Sequence, residues 1–579
     1  MSKGNTGLPA AAVCLWLVIS GALSQTSSTV EEDEAPCESY IRQSYSMCDG
    51  EREYINMRKQ IVVEALSNLG IDCDEETIPR IAFLASGGGQ RAAVGLVGSL
   101  YQLKKANLLD TVLYLGGVSG STWSMATLYG DPEWSNRMDD AVRRLSSPGV
   151  ELKQALDWLT ERRNDNIFSL SDIWGVLTSA GIMKQLDTRH LSDESCRNAT
   201  NPYPIYCAVE KECLHSGPTE GKWFEVSPHE AGFPELGRFI ETSLLGSKFQ
   251  GGEMVEKMPE MDMVRLQGVL GCALAHGETI RSHSPSWLNI TEYLDTASKY
   301  VHMYNTLQYL IALTRSTINN PNSVDAIEKL QKILEEKVGE NKAEYLKAMT
   351  TEEKARLVQQ WTYDMLPLLE TWCHSLEEGS FKKHMTFLIE QLLPLIVKWE
   401  WGTTQNFLYQ YEDSSIPACL SGERLHLLDA GLLVNVAYPS FLGDKRDIDL
   451  IIAPEYSAGK MFETLTMGRD YAAEFKKPFP KVDDEILKDR DWPKDCYVFE
   501  GKEREPTIIF MPLFNRNNSK DAADIKAKMN DFTTFQPPFT QEKLEYLLET
   551  AKANVKNNQD TLLNEIKKAF RRRLSKQGQ

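Results

Sequence analysis

The chain has 579 residues, 42% of them hydrophobic and 25% charged, with a formal net charge of −19. That is ordinary globular composition, long enough for a sizeable core. The acidic balance argues against wholesale nucleic-acid binding, which needs a basic face, but leaves a local basic patch free to meet a membrane.

The chain opens MSKGNTGLPAAAVCLWLVISGALSQTSS, where Lys3 is the only charge before the apolar run Ala10 to Ile19 and Ala22-Leu23-Ser24 is an acceptable cleavage site. About ten apolar residues are too few for an ordinary transmembrane helix, so residues 1–24 read as a secretory signal, with a short anchor or a disordered leader as alternatives. Residues 25–50 are polar and acidic and read as disordered. From Glu51 to Leu69 apolar residues recur at helical steps, and Gly70 is a stop.

Two strand–turn–helix units follow. IAFLA reads as a buried strand, SGGG as a tight turn and QRAAVGLVGSLYQLKKA as a helix; TVLYLGGVSG repeats the theme with a helix beginning near Ser121. Such repetition predicts parallel strands with crossover helices. Residues 130 to about 415 are longer and less regular, with an insertion expected within about 150–415. Helical patterns at 150–163 and 320–398 suggest an insertion that caps the sheet or its mouth. Order returns in RLHLLDAG, DIDLIIAPE, CYVFEG and PTIIFMPLF, all strand-like, before a long helical pattern from Gln541 to Arg573. No Gly/Ser-rich linker divides the body, so 51–579 reads as one domain with insertions. The predicted fold class is α/β: a central mixed, largely parallel sheet flanked by helices, with a helical cap or lid insertion.

Eleven cysteines occur without any CxxC pair, which disfavours a zinc site. Cys196, Cys207 and Cys213 are the tightest group; in an exported chain some would pair, in a cytosolic one they are buried thiols. Three N-x-S/T patterns, at Asn198, Asn289 and Asn517, add little.

SGGGQR lacks the ending of a nucleotide-binding loop and the spaced glycines of a dinucleotide turn. Three glycines before a helix still present free N–H groups to an anion, as an oxyanion hole does, and Arg91 could hold a phosphate oxygen. The plainer reading is a structural turn with a solvated arginine. Ser119 stands in G-V-S-G-S, close to the G-x-S-x-G elbow that exposes a nucleophile, although a buried turn serine gives the same pattern. A serine needs a base, and none of the nine histidines lies in a compelling setting. His426 is nearest to a strand end but alternation turns it away from Asp429; His276 has no partner in view. Asp429 ends an apolar strand before Ala430-Gly431, where a carboxylate would escape full burial at the sheet's carboxyl edge. It reads either as a turn aspartate or as the group that takes the proton of Ser119.

SGGGQRA at 86–92, GVSGSTW at 117–123 and LLDAGLLVN at 427–435 resemble the signature segments of group IV cytosolic phospholipases A2 and the fungal phospholipases B. KWEWGTTQNFLY, WFEVSPHEAGF and KPFPKVD are most similar to the gamma-type members, and the resemblance runs in order from about 50 to 560. It implies a lysophospholipase/patatin-like hydrolase in which Ser119 is the nucleophile, Asp429 the base, Gly88 and Gly89 the oxyanion hole, and Arg91 a substrate-binding arginine; Arg446 matches a further arginine near the site. The implied reaction passes through an acyl-enzyme and releases a fatty acid and a lysophospholipid from a glycerophospholipid. Lysophospholipase or transacylase activity is the alternative, and a non-catalytic lipid-binding relative the rival outside enzymology. The motifs begin too early for a preceding calcium-binding domain, so calcium-independent activity is expected, with no metal and no cofactor. The expected partners are the lipid substrate and a membrane surface touched peripherally, with no nucleic acid. KKAFRRRL at 567–574 is either a headgroup-binding patch or a solvated helix end. The N-terminus points to the secretory pathway, whereas the resemblance implies the cytosol.

Overall fold

A computed structural model describes residues 40–162, 167–216, 222–275, 400–534 and 538–577, together with a few isolated positions. The leader, the acidic stretch as far as residue 39, most of the helical pattern at 320–398 and His276 lie outside the described residues. Among the described residues no helix is long and apolar enough to cross a membrane.

Leaving aside the unlabelled helices Met138–Leu145 and Leu152–Arg162, the second of them at the helical pattern expected over 150–163, the order begins with β1 (Arg42–Gln43), α1 (Asp49–Asn68), β2 (Ile81–Ala85), α2 (Gly89–Lys105), β3 (Tyr114–Gly117), α3 (Gly120–Leu128) and α4 (Leu170–Leu177). It continues with β4 (Tyr203–Glu210), α5 (Lys211–Ser216), β5 (Trp223–Val226), β6 (Glu230–Phe233), β7 (Arg238–Glu241), β8 (Lys248–Gln250), β9 (Glu253–Glu256) and α6 (Met263–Leu270). The last part holds β10 (Thr403–Gln405), β11 (Arg424–Asp429), β12 (Leu450–Glu455), α7 (Glu463–Glu474), β13 (Tyr497–Phe499), β14 (Thr507–Pro512), α8 (Ala522–Asp531), α9 (Gln541–Asn557) and α10 (Gln559–Gln577). Strands β8 and β9 form their own hairpin, and the rest share one sheet ordered β1-β7-β6-β5-β4-β3-β2-β12-β14-β13, with β11 also on β4 and β10 on β11.

The five central strands, β4-β3-β2-β12-β14, are parallel. Their runs IAFLA and LIIAPE, apolar but for the terminal Glu455, are buried on both faces, as parallel strands between helical layers must be. Helix α2 is small-sided because it is tightly packed: a Cβ on Gly98 would stand 2.8 Å from Leu548 O of α9, and one on Gly95 would stand 2.7 Å from the Tyr456 ring.

Three sequence expectations change. Residues 203–256 carry six strands, β4 to β9, where mainly helical cover was expected. Five of the six are only three or four residues long, too short for an alternating period to announce them. The C-terminal helical pattern is two helices, parted at Asn558, whose Nδ2 donates to Asp495 Oδ2 at 2.9 Å and to Asn554 O at 3.0 Å. Within the stretch read as disordered, Arg42 pairs with Phe239 and builds β1 onto the sheet edge.

One pairing places the site. Gly117, the last residue of β3, lies opposite Tyr206 of β4. On the same side of β4, Asp429 lies opposite Ala208, but β11 runs antiparallel; β5 takes the other side, with Val226 opposite Tyr206. Strands β3 and β11 therefore meet head-on, and the residues at their two carboxyl ends face each other. A disulfide, Cys213–Cys419, with Cα atoms 5.2 Å apart, ties α5 to the turn that leads into β11, while Cys207 stays a buried thiol and Cys196 an exposed one.

Candidate active site

Ser119 sits between β3 and α3 with φ 56° and ψ −129°. A left-handed φ is costly for a serine and persists only where the surroundings enforce it. Here the helix begins immediately at Gly120, which packs on the glycine turn: a Cβ there would lie 2.1 Å from Gly89 O. The hydroxyl of Ser119 makes no cap bond to α3, and the residue keeps 7% of its surface exposed.

The glycine turn lies beside it. Gly88 and Gly89 have φ 157° and 58°, which turn the chain out of β2 and into α2. Neither of their N–H groups donates a hydrogen bond among the described residues, as befits the first turn of a helix. Ser86 anchors the turn from behind: its carbonyl accepts from Ser121 Oγ at 2.5 Å and its Oγ accepts the Tyr456 N–H at 2.6 Å.

Asp429 is fully buried, at 0% exposure. This corrects the expectation of a partly exposed carboxylate at the sheet edge: the head-on meeting of β11 and β3 closes over it. Oδ1 accepts the Gly431 N–H at 2.8 Å. Oδ2 closes no hydrogen bond, yet the Ser119 hydroxyl stands near enough to help hold the carboxylate charge. The contact is therefore unlatched, as such pairs commonly are before substrate tightens them. Burial pushes the carboxyl up to about 6, with the Ser119 hydroxyl and the Gly431 N–H pulling the other way. The nearby Cys272 thiol is raised to about 12, by burial first and by the Asp429 charge second.

Arg91 is buried at 1% exposure. Nε donates to Tyr456 O at 2.6 Å and Nη1 to Phe532 O, whereas Nη2 has no partner among the described residues. A Cβ on Gly88 would stand 3.2 Å from that Nη2, so the unpartnered N–H edge lies against the glycine turn. Burial lowers the guanidinium to about 10, partly offset by the Glu455 charge, and it remains cationic at neutral pH. Its solvated-surface reading is thereby corrected.

The structure thus brings Ser119, Asp429, Gly88, Gly89 and Arg91 together. Arg446 is elsewhere: its guanidinium lies over the ring of Tyr114, the first residue of β3 and so at the far end of that strand from Ser119. No imidazole shares a hydrogen bond with Ser119 among the described residues. His426 pairs across to Thr403 on β10, three residues before Asp429, and His229 Nδ1 pairs with the Tyr203 hydroxyl at 2.7 Å. Two site-building residues carried no role in the sequence reading. Tyr456 supplies both the carbonyl that holds Arg91 and the N–H on Ser86, through its backbone, which no side-chain pattern reveals. Asn435 closes the LLDAGLLVN run and reaches Gly87.

The basic run at 567–574 is mostly committed to the fold. Arg573 pairs with Asp447 and Asp449, Arg572 Nη1 donates to Gly501 O at 2.8 Å, and Lys568 pairs with Glu500 at 2.7 Å.

Known proteins resemble the chain over most of its length. The family described as lysophospholipase catalytic domain matches residues 81–277. Cytosolic phospholipase A2 gamma of Homo sapiens is 32% identical over 530 residues, covering 89% of this chain and 94% of its own length. The Mus musculus gamma protein is 30% identical over 548 residues, covering 90% of this chain and 91% of its own. Among solved structures, human GIVD cytosolic phospholipase A2 matches 93% of this chain and 69% of its own with a TM-score of 0.64 at 23% identity, and the same enzyme in complex with methyl gamma-linolenyl fluorophosphonate matches with a TM-score of 0.60. The chain belongs to the group IV cytosolic phospholipase A2 family and is a phospholipase A2/lysophospholipase-type hydrolase.

Proposed function

We propose that the protein hydrolyses fatty acyl esters of glycerophospholipids through a Ser119–Asp429 dyad, without calcium. The observation that carries this reading is the Ser119 hydroxyl set near a buried carboxyl whose Oδ2 closes no hydrogen bond among the described residues. Ser119 Oγ attacks the ester carbonyl while its proton passes to Asp429. The developing oxyanion is met by the free N–H groups of Gly88 and Gly89, donors that need no reorganisation as charge appears. Collapse breaks the ester C–O bond, Asp429 returns the proton to the departing lysophospholipid, and the acyl group stays on Ser119. Water then attacks the acyl-enzyme with Asp429 again as base, and fatty acid leaves. A lysophospholipid enters the same cycle as substrate, which accounts for lysophospholipase activity at the same serine.

A carboxylate raised to about 6 suits this task. It is ionised at neutral pH, yet basic enough to accept a proton in the transition state. The unpartnered Nη2 of Arg91 offers the substrate phosphate a buried cationic donor. Base, oxyanion donors and phosphate ligand all come from the chain, so the cycle has no step left for a calcium ion. The substrate lives in a lipid surface, so peripheral contact with a membrane belongs to this reading.

A fluorophosphonate probe, the class held by the human GIVD structure, tests it. The expected label is on Ser119, lost in Ser119→Ala. Phosphatidylcholine vesicles should yield fatty acid and lysophosphatidylcholine by mass spectrometry at the same rate with and without a chelator. A label on another residue overturns the nucleophile, and a rate that collapses with chelator overturns calcium independence.

A further inference from the structure

The glycine turn leaves β2 and the base arrives on β11, and these strands are not neighbours in the sheet. No ladder fixes one turn against the other, although the chemistry needs them registered to within a fraction of an ångström. Asn435 supplies two bonds between them. The Gly87 N–H donates to Asn435 O at 3.1 Å, and Asn435 Nδ2 donates to Gly87 O at 3.3 Å. Its Oδ1 is wedged between two glycines: a Cβ on Gly87 would stand 2.2 Å from it and 2.6 Å from Ser119 Cβ, and a Cβ on Gly431 would stand 2.6 Å from it and 3.0 Å from Asp429 Oδ1. Gly431 is also the residue whose N–H holds Asp429 Oδ1. One amide therefore touches the turn that precedes the oxyanion donors and the turn that fixes the base.

We infer that Asn435 is a positioning residue for the hydrolytic step, clamping the glycine turn and the Asp429 turn into one register around Ser119. The inference rests on the dyad reading above. It assigns Asn435 no contact with the reacting ester: the residue acts through Gly87 and Gly431. A side chain that only filled space would be replaceable by another of its size, whereas this one is required to be neutral and to donate.

The test uses the full chain on mixed micelles of phosphatidylcholine, with kcat, KM and the pH profile of kcat/KM measured for Asn435→Ala and Asn435→Asp. Asn435→Ala removes the Nδ2 donor and should lower kcat by about tenfold or more while KM stays within about threefold, since alignment and not binding is lost. Asn435→Asp keeps the shape but puts a carboxylate beside Asp429. The titratable groups facing Asp429 are the Ser119 hydroxyl from the elbow and the Cys272 thiol from the turn after α6, both neutral at pH 7. The new charge would therefore dominate and should move the acid limb of kcat/KM upward by at least about half a pH unit. An asparagine that did not reach the Asp429 turn would leave that limb in place, and one that only supported the fold would leave kcat of the folded Asn435→Ala unchanged. If Asn435→Ala does not fold, kcat of the isosteric Asn435→Asp, which also lacks the Nδ2 donor and is measured above its shifted limb, decides alone. Wild-type kcat, an unmoved limb, or a loss confined to KM, overturns the inference. Ser119→Ala separates it from its parent: turnover surviving in that variant sinks the dyad itself, whereas turnover lost there but normal in the Asn435 variants sinks only the clamp.

Discussion

Two buried charged clusters lie at opposite ends of β3, and they are built on opposite principles. At the amino end, Arg446 spends all five N–H donors. Nε and Nη2 meet Glu51 at 2.8 and 3.0 Å, Nη1 meets Glu225 at 3.0 Å and Ser440 O at 2.6 Å, and Nη2 also meets Glu225 at 3.1 Å. Burial pushes Glu225 up, but Arg446 and Lys445 outweigh it and hold its carboxyl down at about 2. At the carboxyl end, Asp429 has one oxygen unpartnered and Arg91 has one nitrogen unpartnered, and no cation offsets the burial of Asp429. Buried polar groups are ordinarily satisfied, so those left open need a reason. The first cluster is a rivet that holds α1 to the sheet. The second is a set of groups kept ready for a substrate.

That contrast is breakable. Ser119→Ala should cut phospholipase turnover by about 10⁴-fold, roughly 5.5 kcal/mol of transition-state stabilisation, with little change in Tm. Arg446→Ala should do the reverse, costing about 3–5 kcal/mol of stability because it leaves two buried carboxylates uncompensated; denaturant unfolding measures it, and an unchanged midpoint would reduce the rivet to decoration. Cys213→Ser opens a link between residues 206 apart in sequence and should cost about 2–4 kcal/mol, read by the same titration.

The sequence made the two clusters unequally legible. The elbow is local: TVLYLGGVSG announces a strand, a turn and a helix within a dozen residues, so Ser119 and the SGGG turn can be read without the rest of the chain. The motif LLDAGLLVN likewise marks Asp429 as a residue of interest. Its full burial was not legible, because that depends on β4 receiving β3 and β11 end to end, a pairing that spans more than 200 residues. The partners of Arg446 were hidden for the same reason: Glu51 and Glu225 come from α1 and β5 and share no motif with it. Cys213 stood out in the sequence beside Cys196 and Cys207, yet its partner is Cys419. Periodicity sees neighbours along the chain, whereas charge compensation and cross-links are settled between segments.

The central claim is that a carboxylate, with no imidazole, activates Ser119. It is tested most directly by the pH dependence of fluorophosphonate labelling in the wild type and in Asp429→Asn. The deprotonated carboxylate is the active form, so wild-type labelling should fall as pH drops through about 6. Asp429→Asn should label at least about a hundredfold more slowly at every pH, with that limb gone. Its Tm should hold or rise, because a carboxyl raised above its ordinary value costs the folded state stability when it ionises at neutral pH. Labelling of Asp429→Asn at the wild-type rate, with the same acid limb, would contradict the account and return the role of base to a histidine.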